Sequence, residues 1–330
     1  MPDAASLASD PDWLPHRIDM ASGRMGFLRL AREQLDGPTF LADRTPGSAD
    51  HEASVPLGDV LGMAPATGPL HFIFHTAFCR STLLVRALDL PGISAGLSEP
   101  GIIGSLAGAG RQGAPLVKPV LDLLSRRHGD ERAVIVKPTN HANMLIPALL
   151  DARPDARGVL MTSALDPFLL SVAKRGMMGR RWGRQLYFEL MGYAGVDLGM
   201  DGPEQFAMTD LQAAGLAWFL NRRYFSMLRD RYGERLIWLD GDRFDAARAA
   251  TLLTVSRHFA LDLTPERADA VASGDLFSSH AKLGGDFDAR RKSETERAAS
   301  RVTEEEIAQV GEWIGLIARQ AGVDLTLGGN

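Results

Sequence analysis

The chain has 330 residues, 45% hydrophobic and 23% charged, with 34 glycines, 18 prolines and one cysteine. Its 36 basic and 41 acidic residues leave a net charge of −5, so no global basic field draws it to nucleic acid or anionic lipid. The composition excludes collagen-like and wholly disordered chains, and one cysteine excludes both an intrachain disulfide and a cysteine-rich zinc module.

The first residues, MPDAASLASDPDW, carry three aspartates and no Lys or Arg, unlike a signal peptide. Val60 to Cys79 lacks Asp, Glu, Lys and Arg, but Gly62, Pro65, Gly68, Pro69, His71 and His75 interrupt it, which argues against a membrane span. A cytoplasmic protein is expected. Residues 1–68 read as an N-terminal accessory segment ending in a Gly/Pro/Asp-rich stretch, and residues 69–330 as one domain.

From Leu70 onward, short apolar runs bounded by Gly, Pro or Asp alternate with longer helical patterns. That is how a parallel α/β sheet reads. Strands are expected at Leu70–His75, Ile93–Leu97, Ala133–Lys137, Gly158–Thr162 and Leu236–Leu239. Helices are expected near Thr82–Leu88, Leu116–Arg127, Asn143–Leu150, Pro167–Arg175, Leu211–Arg231, Asp245–Phe259 and Glu304–Gln320. Ile307, Val310, Ile314 and Ile317 fall at helical spacing in the last of these. Thr303 with Glu306 suits a capping box ahead of it, and Asp166 before Pro167 suits an N-cap. Gly195 to Glu204 reads as a glycine-rich loop. The fold class implied is α/β: three layers, with a five-stranded parallel sheet flanked by helices and an N-terminal extension.

The most informative stretch is LHFIFHTAFCRSTLLVRALD, Leu70 to Asp89. A buried strand runs into a short loop, and Ser81-Thr82 opens a helix. Free backbone N–H groups and the positive helix end converge there, which suits an anion. Arg80 adds a fixed charge, and Thr76, Ser81 and Thr82 add hydroxyls. The Cys-Arg-Ser-Thr order mimics a Walker loop without its glycines.

Ala77-Phe78-Cys79-Arg80-Ser81-Thr82-Leu83-Leu84 resembles the 5′-phosphosulfate loop of the PAPS-dependent sulfotransferases, in the bacterial and tyrosyl-protein branch. Arg80 stands where that family has glycine. Further similar pieces follow in family order: Leu97-Ser98-Glu99-Pro100, Val136-Lys137-Pro138-Thr139-Asn140, and Ser163 to Ser171 on the 3′-phosphate motif. Ser163 replaces that motif's arginine. A last piece runs from Leu236 to Phe244. The resemblance spans about Leu70 to Arg290 and implies a P-loop-type sulfotransferase domain. It also implies PAPS as co-substrate, held by Thr76, Ala77, Phe78, Cys79, Arg80, Ser81, Thr82, Ser163 and Ser171. Lys282, in the Gly/Lys-bearing stretch Ser278–Gly285, resembles the C-terminal loop that closes over the 3′-phosphate.

Four residues are candidates for the chemistry. Glu99 is the only charged side chain between Asp89 and Arg111, amid six glycines from Leu90 to Gly110. A desolvated carboxylate there suits a general base, the role the resemblance also implies; the alternative is a turn carboxylate facing water. Lys137 ends an apolar strand, on the side of an open sheet where ligands bind, and with Arg80 could offset charge on the transferring group. A snorkelling strand-end lysine is the bland alternative. His141 is a second base candidate or a structural histidine.

Lys174 to Arg184 holds five basic residues and no acid, suiting either a phosphorylated cofactor or a solvated loop. No His/Asp/Glu spacing calls for a metal. The expected partner is a small-molecule or peptide acceptor, with neither nucleic acid nor a membrane. Two alternatives stay open: a P-loop kinase or NTPase with Asp240 as magnesium partner, and a catalytically inactive nucleotide-binding member of the same fold.

Overall fold

The computed structural model describes residues 2–37, 39–278 and 301–325. Three strands, β1 (Trp13–Asp19), β2 (Arg24–Arg29) and β3 (Glu52–Pro56), form an antiparallel sheet in that order. Five more follow: β4 (Leu70–His75), β5 (Ser94–Ser98), β6 (Ala133–Lys137), β7 (Gly158–Thr162) and β8 (Leu236–Asp240). They make a parallel sheet in the order β5-β6-β4-β7-β8, flanked by helices. This is the α/β class expected from the alternation of apolar runs and helical patterns.

The chain divides into two compact units. One comprises Met1–His75, Arg80–Val159 and Ala246–Gly284; the other comprises Thr76–Cys79, Leu160–Asp245 and Gly285–Asn330.

In the first unit, β4, β5 and β6 are buried at every position. Continuous apolar runs are what a sheet covered on both faces requires. β3 instead alternates, with Ala53 and Val55 inward and Glu52, Ser54 and Pro56 outward, as a strand with one wet face does. The β1–β2 register shifts between Pro15 and Arg17, at a residue with no N–H to offer the ladder. Gly96 of β5 sits against the helix Ser81–Ala87, where an added Cβ would meet the Val85 carbonyl at 2.7 Å. That close approach requires glycine and sets the helix directly over β5.

Arg126 fastens the N-terminus to this unit. Its guanidinium, 3% exposed, donates to the carbonyls of Leu7 (2.5 Å), Asp10 (2.7 Å), Trp13 (2.6 Å) and Leu123 (2.7 Å). Burial lowers its pKa to about 10, against the opposing pull of Asp10 and Asp12. Two of the buried histidines, His71 and His128, are held well below the usual histidine range by burial. His71 stacks on Phe259 with centroids 4.8 Å apart, and its Nδ1 accepts the Arg157 N–H at 3.3 Å. Burial, aided by His258, lowers its pKa to about 4. His128 is likewise lowered to about 4, by burial first and then by Arg32 and Arg126.

In the second unit, the helix Asp210–Tyr232 is the longest and holds a reciprocal cap. The Gln212 N–H donates to Thr209 Oγ1 at 3.2 Å, and the Thr209 N–H donates to Gln212 Oε1 at 2.8 Å. Two neighbours lie close along it. A Cβ on Gly183 of the helix Gly176–Met191 would meet the Ala214 Cβ at 2.7 Å. A Cβ on Gly215 would meet Val310 at 2.9 Å and Ile314 at 3.2 Å, on the helix Arg301–Gln320. The apolar periodicity of that last helix is the face it buries.

Several expectations are corrected. Thr303 lies inside the helix that begins at Arg301 and does not cap it. Ala164, not Asp166, is the N-cap of the helix Leu165–Lys174, and Asp166 and Pro167 sit in its first turn. The helix expected over Asp245–Phe259 is two, Gly241–Ala246 and Arg248–Phe259. Part of the glycine-rich stretch from Gly195 is helical, Gly202–Ala207, because Asp201 caps it through the Glu204 N–H at 2.8 Å. Two glycine-rich helices, Gly101–Ala109 and Gly176–Met191, were not expected at all; the second contains most of the basic run.

Two stability predictions follow from the buried cations and rings. Arg126→Met should cost at least ~3 kcal/mol, since it strands several buried carbonyls, and urea unfolding would measure it. The two histidines have folded pKa values below the unfolded value of 6.5. Their contribution is therefore full above about pH 6.5 and is lost as pH falls towards 4, by up to ~3 kcal/mol each. Melts from pH 7 to 4 should show this fall, and His71→Phe should flatten its share.

Candidate functional site

β4 delivers the chain into the loop at Thr76. The Thr76 N–H still bonds the Met161 carbonyl at 3.1 Å, and its Oγ1 lies 3.4 Å from Thr162 Oγ1. Three of the next four residues then adopt left-handed backbone without being glycine: Ala77 at φ 71°, Phe78 at 53° and Arg80 at 65°. Each such residue costs roughly 1–2 kcal/mol, and strain concentrated in this way marks functional segments. Turns of this kind aim successive N–H groups to one side, the geometry of backbone anion nests.

The side chains of the loop are individually anchored. The Cys79 thiol, fully buried, donates to the Met161 carbonyl at 3.4 Å. Gly241 lies so close to the Cys79 carbonyl that any Cβ there would collide with it. Phe78 joins Trp182 (4.9 Å between centroids) and Phe168 (5.7 Å), with the Arg175 guanidinium 4.1 Å above its ring. Arg80 is the N-cap of the helix Ser81–Ala87 and gives it no side-chain cap. Ser81 and Thr82 are buried at 4% and 5% exposure.

The second cluster lies at the ends of β4, β5 and β6. Lys137, the last residue of β6, is fully buried. Its Nζ lies 2.5 Å from Glu99 Oε1 and 3.2 Å from His75 Nε2, with the Phe40 ring centroid at 5.2 Å. Glu99 follows β5 directly and keeps its side chain 18% exposed. The Glu99 N–H donates to the Lys137 carbonyl at 2.7 Å, and the Ala42 N–H donates to the Glu99 carbonyl at 2.9 Å. Those bonds hold Glu99 at φ 51°, again left-handed without glycine. His75, the last residue of β4, is 4% exposed. Its Nε2 is also 3.1 Å from the Pro138 carbonyl, and its own carbonyl accepts Asn143 Nδ2 at 3.1 Å. A carboxylate open on one side and an ammonium closed on all sides form one ion pair at the carboxyl ends of adjacent strands, the ligand-binding side of open α/β sheets.

The remaining candidates are placed as follows. His141 is half-buried in the 3₁₀ turn Asn140–Leu145. Ser163 is fully buried; its carbonyl accepts Trp218 Nε1 at 2.9 Å, and its Oγ has no partner among the described residues. Ser171 donates its hydroxyl to the Pro167 carbonyl at 2.8 Å, within its own helix. In the basic run, Arg180 pairs with Glu306 and Arg184 with Asp210. Lys282 lies outside the described residues. Among the described residues no cluster of three His, Cys, Asp or Glu side chains could hold a metal ion.

Sequence reasoning paired neither Glu99 with Lys137 nor His75 with either. It also passed over Ser98 Oγ and Asn140 Nδ2, both buried without a partner among the described residues. The signal for the pair was present: a lone acid just past one strand and a lone base ending another.

No family model matches the chain, and no curated protein matches it. Among the solved structures similar to it are two sulfotransferases. Sulfotransferase STF1 from Mycobacterium tuberculosis H37Rv has a TM-score of 0.40 and 13% identity, over 71% of this chain and 77% of that one. The sulfotransferase domain from the curacin biosynthetic pathway has a TM-score of 0.39 and 12% identity, over 73% of this chain and 99% of that one.

The ion pair carries a testable consequence of its own. Glu99→Ala should lose about 3–5 kcal/mol by stranding the buried ammonium. Adding Lys137→Met should recover part of that loss, because the buried charge is gone. Chemical denaturation of the two single variants and the double variant would measure it; strictly additive losses would show that the pair is not coupled.

Proposed function

We propose that this protein is a sulfotransferase that moves a sulfonate group from PAPS to a hydroxyl or amine of a small-molecule or peptide acceptor. The observation that carries this reading is the Glu99–Lys137 pair, 2.5 Å apart, with the carboxylate partly open and the ammonium sealed. In this scheme Glu99 takes the acceptor proton as the acceptor oxygen or nitrogen bonds to sulfur. The bond from sulfur to the phosphate oxygen breaks, and that oxygen leaves on the nucleotide. Lys137 stabilises the charge that accumulates nearby, a term worth most in a site shielded from water. The strained Ala77–Arg80 turn and the hydroxyls of Ser81 and Thr82 are suited to the phosphosulfate end, with Arg80 as its cation.

The 3′-phosphate end is less well provided for. Ser163 is sealed in the interior and Ser171 spends its hydroxyl within its own helix. Binding at that end falls to other residues in this scheme, Lys282 among them. The kinase or NTPase reading is weakened by Asp240. Its Oδ1 accepts the Asp242 N–H at 2.7 Å and the Arg243 N–H at 3.4 Å, so this carboxylate serves as a helix cap.

Calorimetry with PAP (the desulfated product of PAPS) and with magnesium-ATP tests the proposal. PAP should bind, and Glu99→Gln should keep that binding while lowering turnover on an acceptor panel by roughly 10²–10⁴. Binding of magnesium-ATP with no response to PAP would reject it.

A further inference from the structure

One nitrogen in the second cluster has two neighbours that ask opposite things of it. His75 Nε2 is 3.2 Å from Lys137 Nζ, a donor, and 3.1 Å from the Pro138 carbonyl, an acceptor. A neutral imidazole nitrogen either carries a proton or accepts one, so Nε2 serves only one neighbour at a time. The competing bonds are unequal. A hydrogen bond from an ammonium is about twice as strong as one between neutral groups, and a fully buried cation gains most from each acceptor it finds. Lys137 is fully buried and His75 nearly so.

We infer that His75 is a positioning residue: its neutral ring carries the proton on Nδ1, accepts from Lys137 through Nε2, and so holds the ammonium against Glu99. The inference rests on the reading of Glu99 and Lys137 as the reacting pair for its consequence, but not for its geometry. With Glu99 on one side and His75 on the other, Nζ is fixed from two directions. The ammonium then stays in place when Glu99 is neutralised by the acceptor's proton. Removing His75 takes away one of the contacts that hold Lys137 in place while the charge on Glu99 changes.

The first test is independent of any activity. Nitrogen-15 NMR of the histidine side chains in the intact protein should show His75 neutral and protonated on Nδ1. In Lys137→Met, which removes the competing donor, the ring should switch to the Nε2–H form that donates to Pro138. An Nε2–H ring or a doubly protonated ring in the unaltered protein, or no change of tautomer in Lys137→Met, overturns the inference. The second test reads the consequence on the acceptor panel. His75→Gln retains an acceptor for Lys137 and should keep turnover within about tenfold, whereas His75→Phe should lose about 10²-fold, the cost of a misplaced catalytic group. PAP affinity should be unaltered in both. Equal loss in the two variants overturns the positioning role. If PAP binds no form of the protein, the sulfotransferase reading fails while the tautomer result still decides the geometry.

Discussion

An ammonium sealed inside a protein must be matched, and the matching of Lys137 organises the ends of three strands. Removing such a charge from water costs several kcal/mol, and only close, well-directed partners offset it. Glu99 supplies the countercharge, His75 a neutral contact, and Phe40 an aromatic face. The pair is a poor device for stability alone, because apolar residues of the same volume would serve as well. What the pair does fix is the orientation of a carboxylate at the carboxyl ends of the strands.

That orientation is reinforced by the backbone. Glu99 is fastened at its N–H by Lys137 and at its carbonyl by Ala42, and it tolerates a left-handed conformation that its side chain disfavours. The same sign of strain recurs at Ala77, Phe78 and Arg80. None of these three residues is glycine, the residue that adopts this conformation without strain. Phe78 is locked among Phe168, Trp182 and Arg175, and Cys79 between Met161 and Gly241. Packing around the loop thus takes the place of intrinsic backbone freedom.

Glycine is ambiguous in sequence. The basic run reads equally as a solvated loop, yet most of it lies in the helix Gly176–Met191, where Gly183 lets the helix approach Ala214 and Gly179 lies against the Val172 carbonyl. A glycine that permits close packing and one that breaks a helix are the same letter, and only the neighbour across the gap separates them. Capping was similarly ambiguous. Thr303 and Asp166 have the right chemistry for an N-cap, but each helix begins before them. Two of the five basic residues in the basic run are taken up by ion pairs with residues distant in sequence, Arg180 with Glu306 and Arg184 with Asp210, which composition does not disclose.

The order of apolar runs determined the five parallel strands and the α/β class, because a strand buried on both faces has to be written as an unbroken apolar run. It also marked Glu99 and Lys137 one by one, as charged residues in apolar surroundings. The tertiary structure alone decided that these two meet, since they lie 38 positions apart and come together only through the pairing of β5 with β6. It alone brought His75 against Lys137. Local pattern carries the periodicity of each element, whereas the distance between atoms on different strands depends on register and sheet order, which no single segment contains.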